Sequence, residues 1–95
     1  MWEEWFDKLI CRLYQALGGS CEDLKGTPDD KARAVDIAYR EGGPPEFPDK
    51  EARDEFLVLL DQLEICIEDP QATLSPVGKE ILLTDINDLR QEIPP

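Results

Sequence analysis

Residues 2–17 read WEEWFDKLICRLYQAL, and this stretch sets the fold class. Its apolar side chains recur every three or four residues, which is the period of an amphipathic helix and not of a strand. The charged and amide side chains fill the opposite face. Gly18 and Gly19 follow, and glycine readily adopts the left-handed conformation that ends a helix. We therefore predict a first helix over residues 2–17.

Three further segments show the same helical period. Thr27 with Pro28, and Ser75 with Pro76, each combine an N-cap residue with a proline at the first helical position. The segment between them carries an unbroken apolar stripe that ends before Pro70. The further helices are predicted at residues 28–41, 49–69 and 76–92. Short connections between amphipathic helices predict an all-α, compact and mostly antiparallel bundle of about four helices, as a single helical domain of residues 1–95.

The chain is strongly acidic, with 22 Asp and Glu against 10 Lys and Arg and a formal net charge of −12. A small domain needs a net charge of only about 2–8 in magnitude to remain soluble. The excess field repels nucleic acid and anionic membranes and attracts basic partners. We expect a protein partner with a basic surface, no direct nucleic-acid binding and no membrane association. The alternative is that the acid serves solubility alone.

Residues that carry common catalytic chemistry are sparse. The chain has no histidine, so a cysteine nucleophile would lack its usual base. Paired carboxylates such as Glu3–Glu4 fit caps and solvated faces. We predict no catalytic residue, no metal ligand and no cofactor, and therefore no enzyme. A carboxylate enzyme that uses a metal is kept as a third hypothesis.

The cysteines are Cys11, Cys21 and Cys66, an odd number that excludes complete pairing within one chain. The N-terminus is acidic where a signal peptide is basic, and no apolar run is long enough to span a bilayer. A cytoplasmic location with reduced thiols is the simplest interpretation. Cys11 projects from the polar face of the first helix and is predicted to be the accessible thiol, whereas Cys66 belongs to a core stripe.

The candidate partner-binding residues lie mainly on the outside of the third helix. A row of carboxylates is interrupted there by two apolar residues that point away from the core stripe. Trp2 and Trp5 are further candidates, because tryptophan is enriched at interface hot spots, although the simpler interpretation is that both cover the core. Asp85 and Asp88 are counted among the unpaired surface acids. The third-helix candidates are Asp54, Val58, Asp61, Glu64, Ile65 and Glu68.

These features predict a binding protein. The leading hypothesis is an inhibitor that imitates a phosphate backbone and occupies the basic surface of a nucleic-acid-binding or nuclease partner. In size and charge the chain is similar to phage anti-CRISPR proteins and to helical immunity proteins that block nuclease toxins, a likeness that assigns no residue. The alternative is a structural adaptor or small subunit that docks through Trp2, Trp5, Val58 and Ile65. The sequence leaves the oligomeric state open.

Overall fold

The computed structural model describes residues 1–93 and is built from four α-helices, as predicted. They are α1 (Trp2–Ala16), α2 (Pro28–Gly42), α3 (Lys50–Ile67) and α4 (Pro76–Glu92), with a 3-10 turn at Cys21–Asp23. The all-α prediction is confirmed, and each helix begins and ends within two residues of its predicted bounds. Pro94 and Pro95, with which the predicted domain ends, lie outside the described residues.

The predicted N-caps are formed by hydrogen bonds. The Thr27 hydroxyl accepts from the Asp30 amide at 3.1 Å, and the Asp30 carboxylate accepts from the Thr27 amide at 3.0 Å, a complete capping box. The Ser75 hydroxyl accepts from the Gly78 amide at 3.1 Å. Each cap satisfies a helix amide that has no partner inside the helix. These local bonds explain why α2 and α4 begin where the sequence indicates.

The first and third helices supply much of the core and run antiparallel. The indole Nε1 of Trp2, at the start of α1, donates to the Cys66 carbonyl oxygen near the end of α3 at 2.8 Å. Phe47, in the proline-rich loop before α3, packs back onto Phe56 with ring centroids 5.2 Å apart. The largest fully buried side chains are Phe6, Ile10, Leu13, Leu60, Leu63, Ile67, Leu82, Ile86 and Leu89.

The second and fourth helices run parallel to each other, unlike α1 and α3. The Asp29 carboxylate, at the start of α2, accepts from the Ser75 amide at 2.9 Å and from the Ser75 hydroxyl. These bonds hold the pKa of Asp29 below its ordinary value. A Cβ at Gly78 would lie 2.8 Å from an Asp29 oxygen, so glycine permits the close approach. Farther along both helices, Arg40 of α2 binds acids of α4.

Asp85 is fully buried in the contact between α2 and α4, with 1% of its side chain exposed. Its prediction as an unpaired surface acid is therefore wrong. Asp85 is three residues after Leu82 and four before Leu89, so it lies within the buried stripe of α4.

Cys11 and Cys21 form a disulfide, and the predicted accessible thiol at Cys11 is wrong. Gly18, with φ of +94°, turns the chain back after α1, and the 3-10 turn places the two Cα atoms 5.3 Å apart. Cys66 is free and buried, and burial raises the pKa of its thiol to about 11. Disulfides persist mainly in oxidising compartments. The cytoplasmic location stays a prediction.

Across residues 1–93, none of the helices has the length and apolar content required to cross a membrane.

Candidate protein-interaction surface

Five of the six α3 candidates form a stripe in which acidic and apolar residues alternate at steps of four and three. The opposite side of α3 is buried, so this α3 stripe faces solvent. Val58 is 52% exposed and Ile65 is 63% exposed, which places two large apolar side chains in water. Glu64 lies beside the stripe and is half-buried. In chain order the stripe consists of Asp54, Val58, Asp61, Ile65 and Glu68.

Arg90 of α4 partly neutralises this surface. One guanidinium nitrogen contacts Asp61 and the other contacts Glu64, each at 2.6 Å. A guanidinium that divides its donors between two carboxylates fixes both in position and joins α4 to α3. The sequence pattern missed this contact because Arg90 is far from both acids along the chain. Asp61 and Glu64 are therefore not free carboxylates.

The two ends of the α3 stripe keep more of their negative charge. Asp54 is exposed and meets Arg53 at 3.5 Å, a longer contact than those made by Arg90. Glu68 is exposed at the C-cap of α3. The helix dipole places partial negative charge there, and a carboxylate adds to it. The negative potential of the stripe is therefore carried mainly by its two ends.

A groove of about 880 Å³ lies between α1 and α3, beside the N-terminal half of the stripe. Val58 and Asp54 belong to both the groove and the stripe, so the two features form one continuous surface. Because the groove carries three acids and two bases, it offers several ion-pairing groups around one apolar side chain. It is lined by Arg12, Lys50, Glu51, Asp54, Glu55, Val58 and Gln62.

The two tryptophans occupy different environments. Trp2 is 7% exposed and stacks on Phe6 with ring centroids 4.8 Å apart, so it is a core residue. Trp5 is 39% exposed. It precedes Arg12 by seven residues, or two helical turns, and therefore lies on the side of α1 that lines the groove. Of the two candidates, Trp5 offers surface to a partner.

The chemistry available at this surface is ion pairing and apolar contact. Within residues 1–93, no three or more His, Cys, Asp or Glu side chains are grouped so as to hold a metal ion. The free thiol of Cys66 is enclosed by the core. Comparison with protein-family models, with curated proteins and with solved structures found no match to this chain.

Proposed function

We propose that the chain is an acidic helical interaction module that occupies a basic surface on a protein partner and excludes nucleic acid from it. The contact is made by the α3 stripe together with the adjoining groove. The observation that carries the proposal is the alternation of carboxylates and exposed apolar residues along one rigid helix face. Carboxylates steer a basic surface into place, and apolar points between them hold it there after water is displaced.

Two acids of the stripe, Asp54 and Glu68, are the best positions for testing the electrostatic part of the proposal. Asp61 and Glu64 are less suitable, because a lysine at either position would lie against Arg90 and disturb the fold. For Asp54→Lys with Glu68→Lys we expect unfolding free energies within about 0.5 kcal/mol of the parent for each change. Affinity for the basic partner should fall about tenfold at low salt, mainly through slower association. Surface plasmon resonance against an affinity-captured partner at two salt concentrations gives the affinity and the association rate, and urea unfolding gives the stabilities.

The matched control is Glu22→Lys with Glu41→Lys, two exposed acids outside α3. Each reversal adds two charge units, so either double variant changes the formal net charge from −12 to −8. Docking by the α3 stripe predicts that the control binds more tightly than the stripe variant. Equal losses of affinity in both double variants would show that overall charge, and not this surface, drives binding.

The proposal also requires that the bound chain displaces DNA or RNA from the partner. Fluorescence anisotropy of a labelled nucleic acid measures this displacement.

Arg90→Gln tests the same surface by making it more negative. The change releases Asp61 and Glu64 from their guanidinium and adds one negative unit to the surface. Because the contacts are partly exposed, we expect a stability loss of about 1 kcal/mol or less. Association with a basic partner at low salt should become faster than in the parent. A slower or unchanged rate would contradict electrostatic steering through α3.

The exposed apolar residues support a second candidate function, a structural adaptor that docks through Trp5, Val58 and Ile65. In that case Val58→Ser with Ile65→Ser should weaken binding more than the stripe reversals do. The affinity should also change little with salt, because apolar contacts are not screened. The same binding measurements distinguish the two functions, because they show which double variant loses more affinity, the charge reversals or the apolar changes.

A further inference from the structure

Three carboxylates of α2 and α4 converge on one guanidinium. Arg40 Nη2 lies 2.9 Å from Asp85 Oδ1 and 3.2 Å from Asp88 Oδ2. Its Nε lies 3.4 Å from Asp36 Oδ1. One positive charge therefore faces three acids, and full ionisation would leave two negative charges uncompensated. This Arg40 cluster lies at the contact between α2 and α4.

Asp85 is the least stable carboxylate of the Arg40 cluster, because its side chain is buried and only one of its oxygens has a hydrogen-bond partner. Oδ1 accepts from Arg40, whereas Oδ2 is buried without a hydrogen-bond partner. Asp36 of α2 binds the same guanidinium, which brings its carboxyl close to that of Asp85. Two carboxyl groups can hydrogen-bond to each other only when one of them carries a proton. Burial, and then the contact with Asp36, raise the pKa of Asp85 to about 7.

The charged groups of the surrounding helices do not neutralise the negative charge of the Arg40 cluster. Asp36, Arg40 and Asp85 line a cavity of about 320 Å³. Glu80 of α4 also lines this cavity and adds another acid. On α1, Asp7 is bound by Lys31 at 2.8 Å. On α3, the two acids that face α4 are bound by Arg90. The missing positive charge at Asp85 is thus best supplied by a proton.

We propose that the buried Asp85 carboxyl holds a proton that stabilises the contact of α2 with α4 in mildly acidic solution, and that losing this proton loosens the helix pair in mildly alkaline solution. The proposal rests on the burial of Asp85, on its oxygen without a partner and on the single positive charge of Arg40 among three acids. It is independent of the proposed function.

The direction of the pH effect follows from where the proton is bound. In the unfolded chain Asp85 titrates near its ordinary pKa of about 3.9, so between about pH 4 and 7 only the folded state holds the proton. The folding equilibrium constant should therefore fall as pH rises, by up to about tenfold per pH unit in this window, and level off above it. The chain has no histidine, so apart from the α-amino group few other groups titrate between pH 5 and 8.

The test is urea unfolding between pH 5 and 8 for the parent and for Asp85→Asn. The asparagine carbonyl can still accept from Arg40, and its amide group is neutral at every pH tested, as the protonated carboxyl is. We expect the parent's folding constant to fall by about fiftyfold between pH 5 and 7. In Asp85→Asn this fall should be largely absent. Amide exchange should show protection in α2 decreasing above about pH 7 in the parent and staying level in the variant.

Asp88→Asn is the matched control, since Asp88 contacts the same guanidinium but its side chain is 38% exposed. It should keep most of the parent's pH dependence. An Asp85→Asn variant that follows the parent's slope would overturn the proposal. Carbon-13 NMR of the Asp85 carboxyl in the parent provides a reading that needs no variant. A titration midpoint near 7 supports a proton on Asp85, and a midpoint below 5 overturns the proposal.

Discussion

Trp2→Ala should lower the free energy of unfolding by about 3–5 kcal/mol, the range observed when a buried large aromatic side chain is removed. The substitution deletes the ring that stacks on Phe6 and the indole donor to the Cys66 carbonyl. It also opens a cavity where the beginning of α1 meets the end of α3. Because small domains are stable by only about 5–15 kcal/mol, much of the total would be lost. Urea unfolding followed by circular dichroism measures the change.

Trp5→Ala is the matched control, since it removes the same side chain from the same helix at an exposed position. Because 39% of Trp5 is already exposed, we expect its removal to cost about 1–2 kcal/mol, clearly less than the removal of Trp2. If the chain docks through the groove side of α1, this variant should weaken binding while the fold persists. Comparable stability losses in the two variants would contradict the assignment of Trp2 to the core and Trp5 to the surface.

The helices and their caps could be predicted because their causes are local. The apolar stripe of residues 2–17 requires only the helical period, and the Thr27–Pro28 and Ser75–Pro76 pairs require only neighbouring residues. The exposed positions of Val58 and Ile65 follow from the same period once the core stripe of α3 is known. Local pattern therefore establishes both the fold class and the face of α3 that meets solvent.

The contacts between helices could not be predicted, because they depend on how the helices pack. Arg90 reaches its two acids only after α4 lies against α3, and no spacing along the chain indicates this pairing. Asp85 did carry a signal. Its position between Leu82 and Leu89 places it on the apolar stripe of α4, and a carboxyl there predicts a buried acid that needs a proton or a cation. This position in the apolar stripe distinguishes Asp85 from the surface acids.

The fold should also depend strongly on the Cys11–Cys21 disulfide. The bond closes a loop of about eleven residues, and the chain-entropy relation assigns such a loop about 3 kcal/mol of stability. Reduction should therefore lower the melting temperature by roughly 10–20 °C for a domain of this size. Thermal unfolding with and without dithiothreitol, followed by circular dichroism, measures the shift. In a reducing cytosol the chain would have the lower of the two stabilities.

Cys11→Ser with Cys21→Ser provides the control, because this variant should melt near the reduced parent and show little response to dithiothreitol. Thiol labelling gives a second reading. The oxidised native chain should take up no label, since Cys66 is buried, and the reduced native chain should take up label at Cys11 and Cys21. A parent whose oxidised and reduced forms melt together would mean that the disulfide adds nothing to the fold. Label at Cys11 before reduction would mean that the bond is not formed in solution.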